Sequence, residues 1–179
     1  MPEIEIRPIS AADLPALIAM DHHYTSEYVW QMEIQREERH VQISFREVRL
    51  PRSVQVKYPR DPMTLADEWN RRDIVLVAEL AKEAVGYISL VQNMAPHATW
   101  ATDLVVLRKV RRRGIGSALV LAAQEWAEQN ESQRLILEMQ PKNYPAIQLT
   151  RKLGFELCGY NDHYYANHDI ALFFSKWVR

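Results

Sequence analysis

The chain has 179 residues, with 22 Lys and Arg against 23 Asp and Glu and a formal net charge of -1. Hydrophobic residues make up 47% and charged residues 25%, which excludes a largely disordered chain; a domain of this size buries a core without a disulfide or metal staple. The balanced charge argues against a globally basic nucleic-acid binder, and the single cysteine, Cys158, excludes an internal disulfide framework.

No apolar run approaches the ~18 residues of a membrane span. The start, Met1 to Arg7, is too charged for a secretory leader, so one cytoplasmic domain over 1–179 is expected. Ile4, Ile6 and Pro8 alternate with charged residues and predict a first strand. Ser10 starts a helix, with Asp13 completing a capping box and Leu14, Leu17 and Ile18 on one face. Tyr28, Trp30, Met32 and Ile34 then alternate with Val29, Gln31, Glu33 and Gln35. After the charged break Arg36 to Arg39 the alternation resumes at Val41, Ile43 and Phe45, which predicts a hairpin. Leu50-Pro51 and Pro59 to Pro62 predict an irregular stretch, followed by a short helix from Leu65 to Trp69.

Ile74 to Leu80 and Val85 to Val91 are strands joined by a turn, and Trp100 to Val106 is a third. Gly114 to Gln129 is a helix with Ile115, Leu119, Ala122, Ala123 and Trp126 at helical spacing. Arg134 to Met139 is a buried strand whose alternation turns Glu138 away from Leu135 and Leu137. Asn143 to Lys152 is a second helix, ended by Gly154, and strands near Phe155 to Tyr160 and Ile170 to Trp177 close the chain. The order predicts an α/β fold, a mixed sheet flanked by helices.

The strand ending at Val106 runs through Leu107-Arg108-Lys109-Val110-Arg111-Arg112-Arg113-Gly114-Ile115-Gly116-Ser117 into a helix. Glycines allow close backbone approach, the helix start offers free N–H donors, and the arginines add cationic reach: the parts of a pyrophosphate site. A glycine turn with solvated arginines is the plain alternative. A Walker loop would need Gly-Lys-Ser/Thr, which is absent. A dinucleotide fingerprint would need a small residue where Leu119 stands, although Glu138 lies at a suitable distance for a ribose contact.

The pattern Arg111-x-x-Gly114-x-Gly116 resembles the acetyl-coenzyme A loop of the GNAT N-acetyltransferases. Asn143-x-x-Ala146-Ile147-x-Leu149-x-x-x-Leu153-Gly154-Phe155 resembles the same family's next motif, on the helix beside the coenzyme A arm. The resemblance covers residues 74–177 and leaves 1–73 as the substrate-side region. A further likeness, to the streptothricin acetyltransferase subgroup, rests on Asp21-x-x-Tyr24-Thr25-x-x-Tyr28-Val29-Trp30, Leu50-Pro51-Arg52, Gly86-Tyr87-Ile88, Leu137-Glu138-Met139-Gln140 and Tyr164-Tyr165.

The resemblance implies a mostly antiparallel sheet splayed at the acetyl-coenzyme A site. It implies that Leu104, Val105, Val106, Arg111, Arg112, Arg113, Gly114, Ile115, Gly116, Ser117, Asn143, Ala146 and Thr150 hold this cosubstrate, with no metal. It also implies acetyl transfer to a primary amine. An alkylammonium with a pKa near 10.4 is neutral in only about one molecule in two thousand at pH 7, so a base is needed. Glu138 is the candidate and Asp103 the second choice; an edge carboxylate paired with an arginine is the plain reading of Glu138.

The family's acid tyrosine has its slot at Thr150, a departure; Tyr160, Tyr164 or Tyr165 could stand in, with Tyr164 the candidate. Tyr28, Trp30 and Glu33 are candidate contacts for a small cationic amine, through carboxylate pairing and aromatic faces. Cys158, in an apolar strand, is expected to be a buried inert thiol, and the histidines, His22-His23 and His163 to His168 included, surface or loop residues without metal-ligand spacing. The expected partner is a small-molecule amine, with neither nucleic acid nor membrane involved, acting on a monomer or homodimer. A peptide or protein N-terminal acetyltransferase, or a non-catalytic acyl-coenzyme A-binding module, remains an alternative.

Overall fold

The computed structural model describes residues 3–178; Met1 and Pro2, which open the charged start, and Arg179 lie outside the described residues. Strand β1 (Ile4–Pro8) leads through one 3-10 turn into helix α1 (Leu14–Ile18). The capping box forms as expected: the Ser10 N–H donates to Asp13 Oδ2 at 2.8 Å. Arg7 reaches over from β1 and donates to both Asp13 oxygens, each at 2.8 Å, which ties the strand to the first turn.

Strands β2 (Tyr24–Glu37) and β3 (His40–Val56) form the expected hairpin as a separate two-stranded sheet. Leu50 and Pro51 do not end β3. The register jumps from Ser26 opposite Val54 to Tyr28 opposite Arg49, so Leu50 to Ser53 bulge out within the strand. A bulge is where a ladder tolerates a proline. Helix α2 (Met63–Glu68) follows the connector 57–62.

The main sheet holds β4 (Ile74–Leu80), β5 (Glu83–Gln92), β6 (Ala98–Val106), β7 (Arg134–Met139), β8 (Glu156–Asn161) and β9 (Ala171–Trp177) together with β1, in the order β1-β4-β5-β6-β7-β9-β8. Among the described residues only β6 and β7 run parallel; the crossover between them holds α3 (Ile115–Gln129). Helix α4 (Tyr144–Lys152) connects β7 to β8.

Alternation along the strands sends side chains to two cores. Leu135 and Leu137 join Ile115, Leu119, Ala123 and Ile147 in the larger one. Val75, Val77, Tyr87 and Val105 pack with Leu17 of α1, Met20 just beyond it and Leu65 of α2 on the opposite face. Each fully buried Leu or Ile contributes roughly 1.5–3 kcal/mol relative to exposure.

Two minor expectations are corrected. Cys158 is exposed, because β8 is the outer edge strand. His22 is buried, not on the surface: its Nδ1–H donates to the Met20 carbonyl at 2.8 Å, and its Nε2 accepts from the Tyr87 hydroxyl at 3.0 Å.

The sheet opens in its middle. β6 and β7 pair only from Ala98 with Arg134 to Ala101 with Leu137, although β6 continues to Val106 and β7 to Met139. The cause is a bulge: Ser89 opposes Asp103 and Leu90 opposes Ala101, which leaves Thr102 as an extra residue that bends β6 away from its neighbour.

Candidate active site

The gap between β6 and β7 exposes backbone donors. The Leu107 N–H donates to the Val85 carbonyl at 2.7 Å, so by alternation Val105 and Asp103 also bond toward β5. Leu104 and Val106 therefore turn their N–H groups into the gap. Val105 does not fit its expected role, because its backbone serves β5 and its side chain lies in the α1 and α2 core.

A cleft with about 510 Å³ of empty space opens there, lined by Leu104, Leu137, Asn143, Ala146, Leu149 and Thr150. Asn143 also caps α4, its Oδ1 accepting from the Ala146 N–H at 3.2 Å. The buried Thr150 hydroxyl donates to the Ile147 carbonyl at 2.7 Å, which commits its proton to the helix.

At the start of α3, Gly114 takes a φ of 86°, and Arg112 before it 66°. The first bond of the helix runs from the Ala118 N–H to the Gly114 carbonyl. The N–H groups of Ile115, Gly116 and Ser117 precede it and have no helical acceptor, which makes an anion cradle. A Cβ on Gly116 would meet the Leu149 side chain at 3.3 Å, so glycine lets this helix start approach α4 closely. The Ile115 side chain is core. Arg112 and Arg113 are exposed beside the cradle.

Arg111 departs from its expected role. Its guanidinium donates to the carbonyls of Val106, His23 and Asp21 at 2.8, 2.9 and 3.0 Å, which turns the side chain away from the cradle to tie the loop after α1 to the end of β6. The cradle and the open gap together fit a long phosphate-bearing acyl carrier. Among the described residues no His, Cys, Asp and Glu group could hold a metal ion.

On the sheet face opposite α3 and α4, Glu138 and Asp103 come together. The Glu138 carboxylate has no exposed surface. It accepts from Trp100 Nε1 at 3.0 Å, from the Tyr164 hydroxyl at 2.9 Å and from Arg60. Burial pushes the Glu138 pKa up, against the opposing pull of Arg60 and Tyr164. The Tyr164 phenol is pushed up to about 12, by burial first and then by the adjacent carboxylate.

Asp103 accepts from the Tyr58 hydroxyl and from Thr102 Oγ1 at 3.0 Å, and stands 3.6 Å from Arg60 Nη1. Arg60 also donates to the Thr102 carbonyl at 2.7 Å and lies 5.2 Å over the Tyr165 ring. Sequence reasoning missed Arg60; its one signal is an arginine inside the proline-marked stretch Pro59 to Pro62. Tyr164 braces Glu138, whereas Tyr165 is the tyrosine of this pair that lines the cleft.

The expected substrate contacts lie elsewhere. Tyr28 stacks on Tyr144 at 4.6 Å. Trp30 packs on Phe174 at 5.6 Å beneath Arg151. Glu33 is half exposed and pairs with Arg46 at 3.5 Å. None of the three lines the cleft, because this part of the hairpin spends its aromatic face on docking against α4 and β9.

The acetyltransferase (GNAT) family profile matches residues 26–155. The chain is 33% identical over 112 residues to an N-alpha-acetyltransferase of Sulfurisphaera tokodaii, covering 53% of this chain and 64% of that protein, less than two thirds of its length. It is 27% identical over 121 residues to streptothricin acetyltransferase A of Bacillus subtilis, covering 65% of this chain and 69% of that one. In fold it is similar to the crystal structure of nourseothricin acetyltransferase, with a TM-score of 0.81 at 24% identity, covering 98% of this chain and 99% of the other. It is also similar in fold to a protein of Bacillus anthracis str. Ames provisionally assigned as a streptothricin acetyltransferase and solved with acetyl coenzyme A, with a TM-score of 0.75 at 21% identity, over 98% and 99% of the two chains.

Proposed function

The chain belongs to the acetyltransferase (GNAT) family, and on that premise we propose that it transfers acetyl from acetyl-coenzyme A to the primary amine of a small cationic acceptor of streptothricin type. The observation that carries this reading is the pair of carboxylates, the buried Glu138 and the partly buried Asp103, at the opened end of the β6 and β7 pairing. Acetyl-coenzyme A supplies the activated acyl group. The N–H groups of Ile115, Gly116 and Ser117 hold the pyrophosphate, with Arg112 and Arg113 as cations beside it. The Leu104 and Val106 N–H groups hold the arm beside the side chains of Asn143 and Ala146, and those two N–H groups are the donors offered to a thioester oxygen that gains charge.

Glu138 takes the proton of the attacking amine, a role its raised pKa suits better than an ordinary carboxylate's. Asp103 draws the ammonium in. With Thr150 committed to Ile147, a tyrosine of the β8–β9 connection serves the leaving thiolate: Tyr164, which bonds Glu138, or Tyr165, which lines the cleft. Two carboxylates against one guanidinium leave the site one negative charge in excess, which favours a cationic acceptor.

The test is thiol release from acetyl-coenzyme A across an amine panel that includes streptothricin and short peptides. Release with streptothricin and none with peptides is expected. Release with peptides alone would move the acceptor to protein N-termini, the reading suggested by the Sulfurisphaera tokodaii relative's name. A thermal shift with acetyl-coenzyme A but no release from any amine would make the chain an acyl-coenzyme A-binding module.

A further inference from the structure

Glu138 cannot meet an amine in the arrangement described. Its carboxylate is sealed by Arg60, Trp100 and Tyr164, and one of these must yield. Trp100 is fixed by its strand, with its ring 5.2 Å from Phe173. Tyr164 is wedged between Tyr165 and Phe173, at 5.1 and 5.7 Å. Arg60 belongs to the connector 57–62, outside any helix or strand. It is the cation of the cluster and the seal that an incoming cation can replace charge for charge.

A second cleft, partly open to solvent, lies beside the first and is lined by Tyr58, Arg60, Arg72, Tyr87, Ser89 and Asp103. Arg60 lines both clefts, as Tyr58 does. Ser89 is 1% exposed, and its hydroxyl has no hydrogen-bond partner among the described residues. A buried hydroxyl without a partner is costly and marks a place where a donor is missing. Asp103 borders this cleft too, so a guanidinium turning into it keeps a carboxylate beside it.

We propose that Arg60 is a specificity-determining residue: its guanidinium occupies the position of the acceptor's ammonium, which enters by replacing it on Glu138 while the guanidinium turns into the second cleft and onto Ser89. This rests on the reading of Glu138 as the group that meets the acceptor amine. A cationic acceptor restores the charge balance on Glu138 when Arg60 leaves; a neutral molecule of the same shape strands a buried, unpaired carboxylate. The site thus selects for charge before chemistry begins.

The test is calorimetric titration of the whole protein, without coenzyme, with n-butylammonium and with the uncharged n-butanol, at pH 8. Removing the internal competitor in Arg60→Gln should tighten n-butylammonium binding about tenfold, the scale of one charge-assisted hydrogen bond, and leave n-butanol unchanged. Arg60→Lys, which keeps a cation, should stay near the wild type. Equal or weaker n-butylammonium binding in folded Arg60→Gln, or none in any variant, would overturn the proposal and make Arg60 a fixed strut. Ser89→Val removes the hydroxyl that receives the guanidinium and should weaken n-butylammonium binding about threefold in a protein that keeps Arg60. Unchanged binding there would also overturn it, even if Arg60→Gln failed to fold. No turnover is read, so a lack of acetyl transfer would count against the proposed activity and not against this displacement.

Discussion

At the scale of single residues, the chemistry turns on how Glu138 is held. Its raised pKa means that the ionised base is gained only as pH rises through a value above the ordinary carboxylate's. The acid limb of the rate profile should therefore sit higher than for a solvated glutamate. Glu138→Gln should lower turnover at pH 7 by about a hundredfold or more while leaving the acetyl-coenzyme A thermal shift intact. Wild-type turnover in that variant would pass the role to Asp103. Tyr164 donates to the same carboxylate and pulls its pKa down. Tyr164→Phe should therefore move the acid limb further up in pH; a fall in rate with no movement of the limb would point to proton donation by Tyr164 itself.

At the scale of elements, three junctions separate stability from binding. Trp30 docks the hairpin on β9 and α4, away from the cleft. Trp30→Ala should cost about 3 kcal/mol in urea unfolding and leave the KM for an amine unchanged. A large rise in KM with little lost stability would restore Trp30 as an acceptor contact. Gly114 is different, since a Cβ there meets nothing but must adopt a φ of 86°. Gly114→Val should cost about 1–3 kcal/mol in strain and lose the acetyl-coenzyme A thermal shift, which stability measurements alone would not reveal.

The Arg7–Asp13 pair sets an acid limit on the link from β1 to the first helical turn. Arg7 and the Ser10 bonds hold the Asp13 carboxyl well below the ordinary range. A depressed carboxyl stabilises the fold fully above its unfolded pKa of ~3.9, and that stability drains away as pH falls through the folded value. Melting temperatures of wild type and Asp13→Asn should thus differ at pH 7 and converge as the pH is lowered below 4; a constant difference would mean that packing, not charge, makes the link.

Across the whole molecule, legibility follows sequence separation. The alternation in β7 placed Glu138 opposite Leu135 and Leu137 because a period of two is local, and the glycine spacing before α3 located the cradle for the same reason. Arg60 was hidden because it reaches Glu138 across 78 residues, and nothing near it in the chain encodes that meeting. Arg111 shows the other limit: a cation in a loop is visible, but not that carbonyls of Asp21 and His23, about ninety residues earlier, claim it. The hairpin's two faces were legible from its alternation. Which face would be spent on Phe174 and Tyr144 was not, because both partners come from the far end of the chain.

The interrupted pairing of β6 and β7 has a mechanical side. The main sheet is two half-sheets, β1-β4-β5-β6 and β7-β9-β8, joined along a seam of four residue pairs. Beyond the seam, the amides of Leu104 and Val106 have the chemistry of an outer edge strand in the interior of the molecule, while Val105 between them is locked to β5. Backbone hydrogen exchange should therefore alternate along this stretch, fast at 104 and 106 and slow at 105. A bound ligand lying in the gap acts as a zipper tooth between the half-sheets, so acetyl-coenzyme A should slow the two fast amides and leave the slow one as it was.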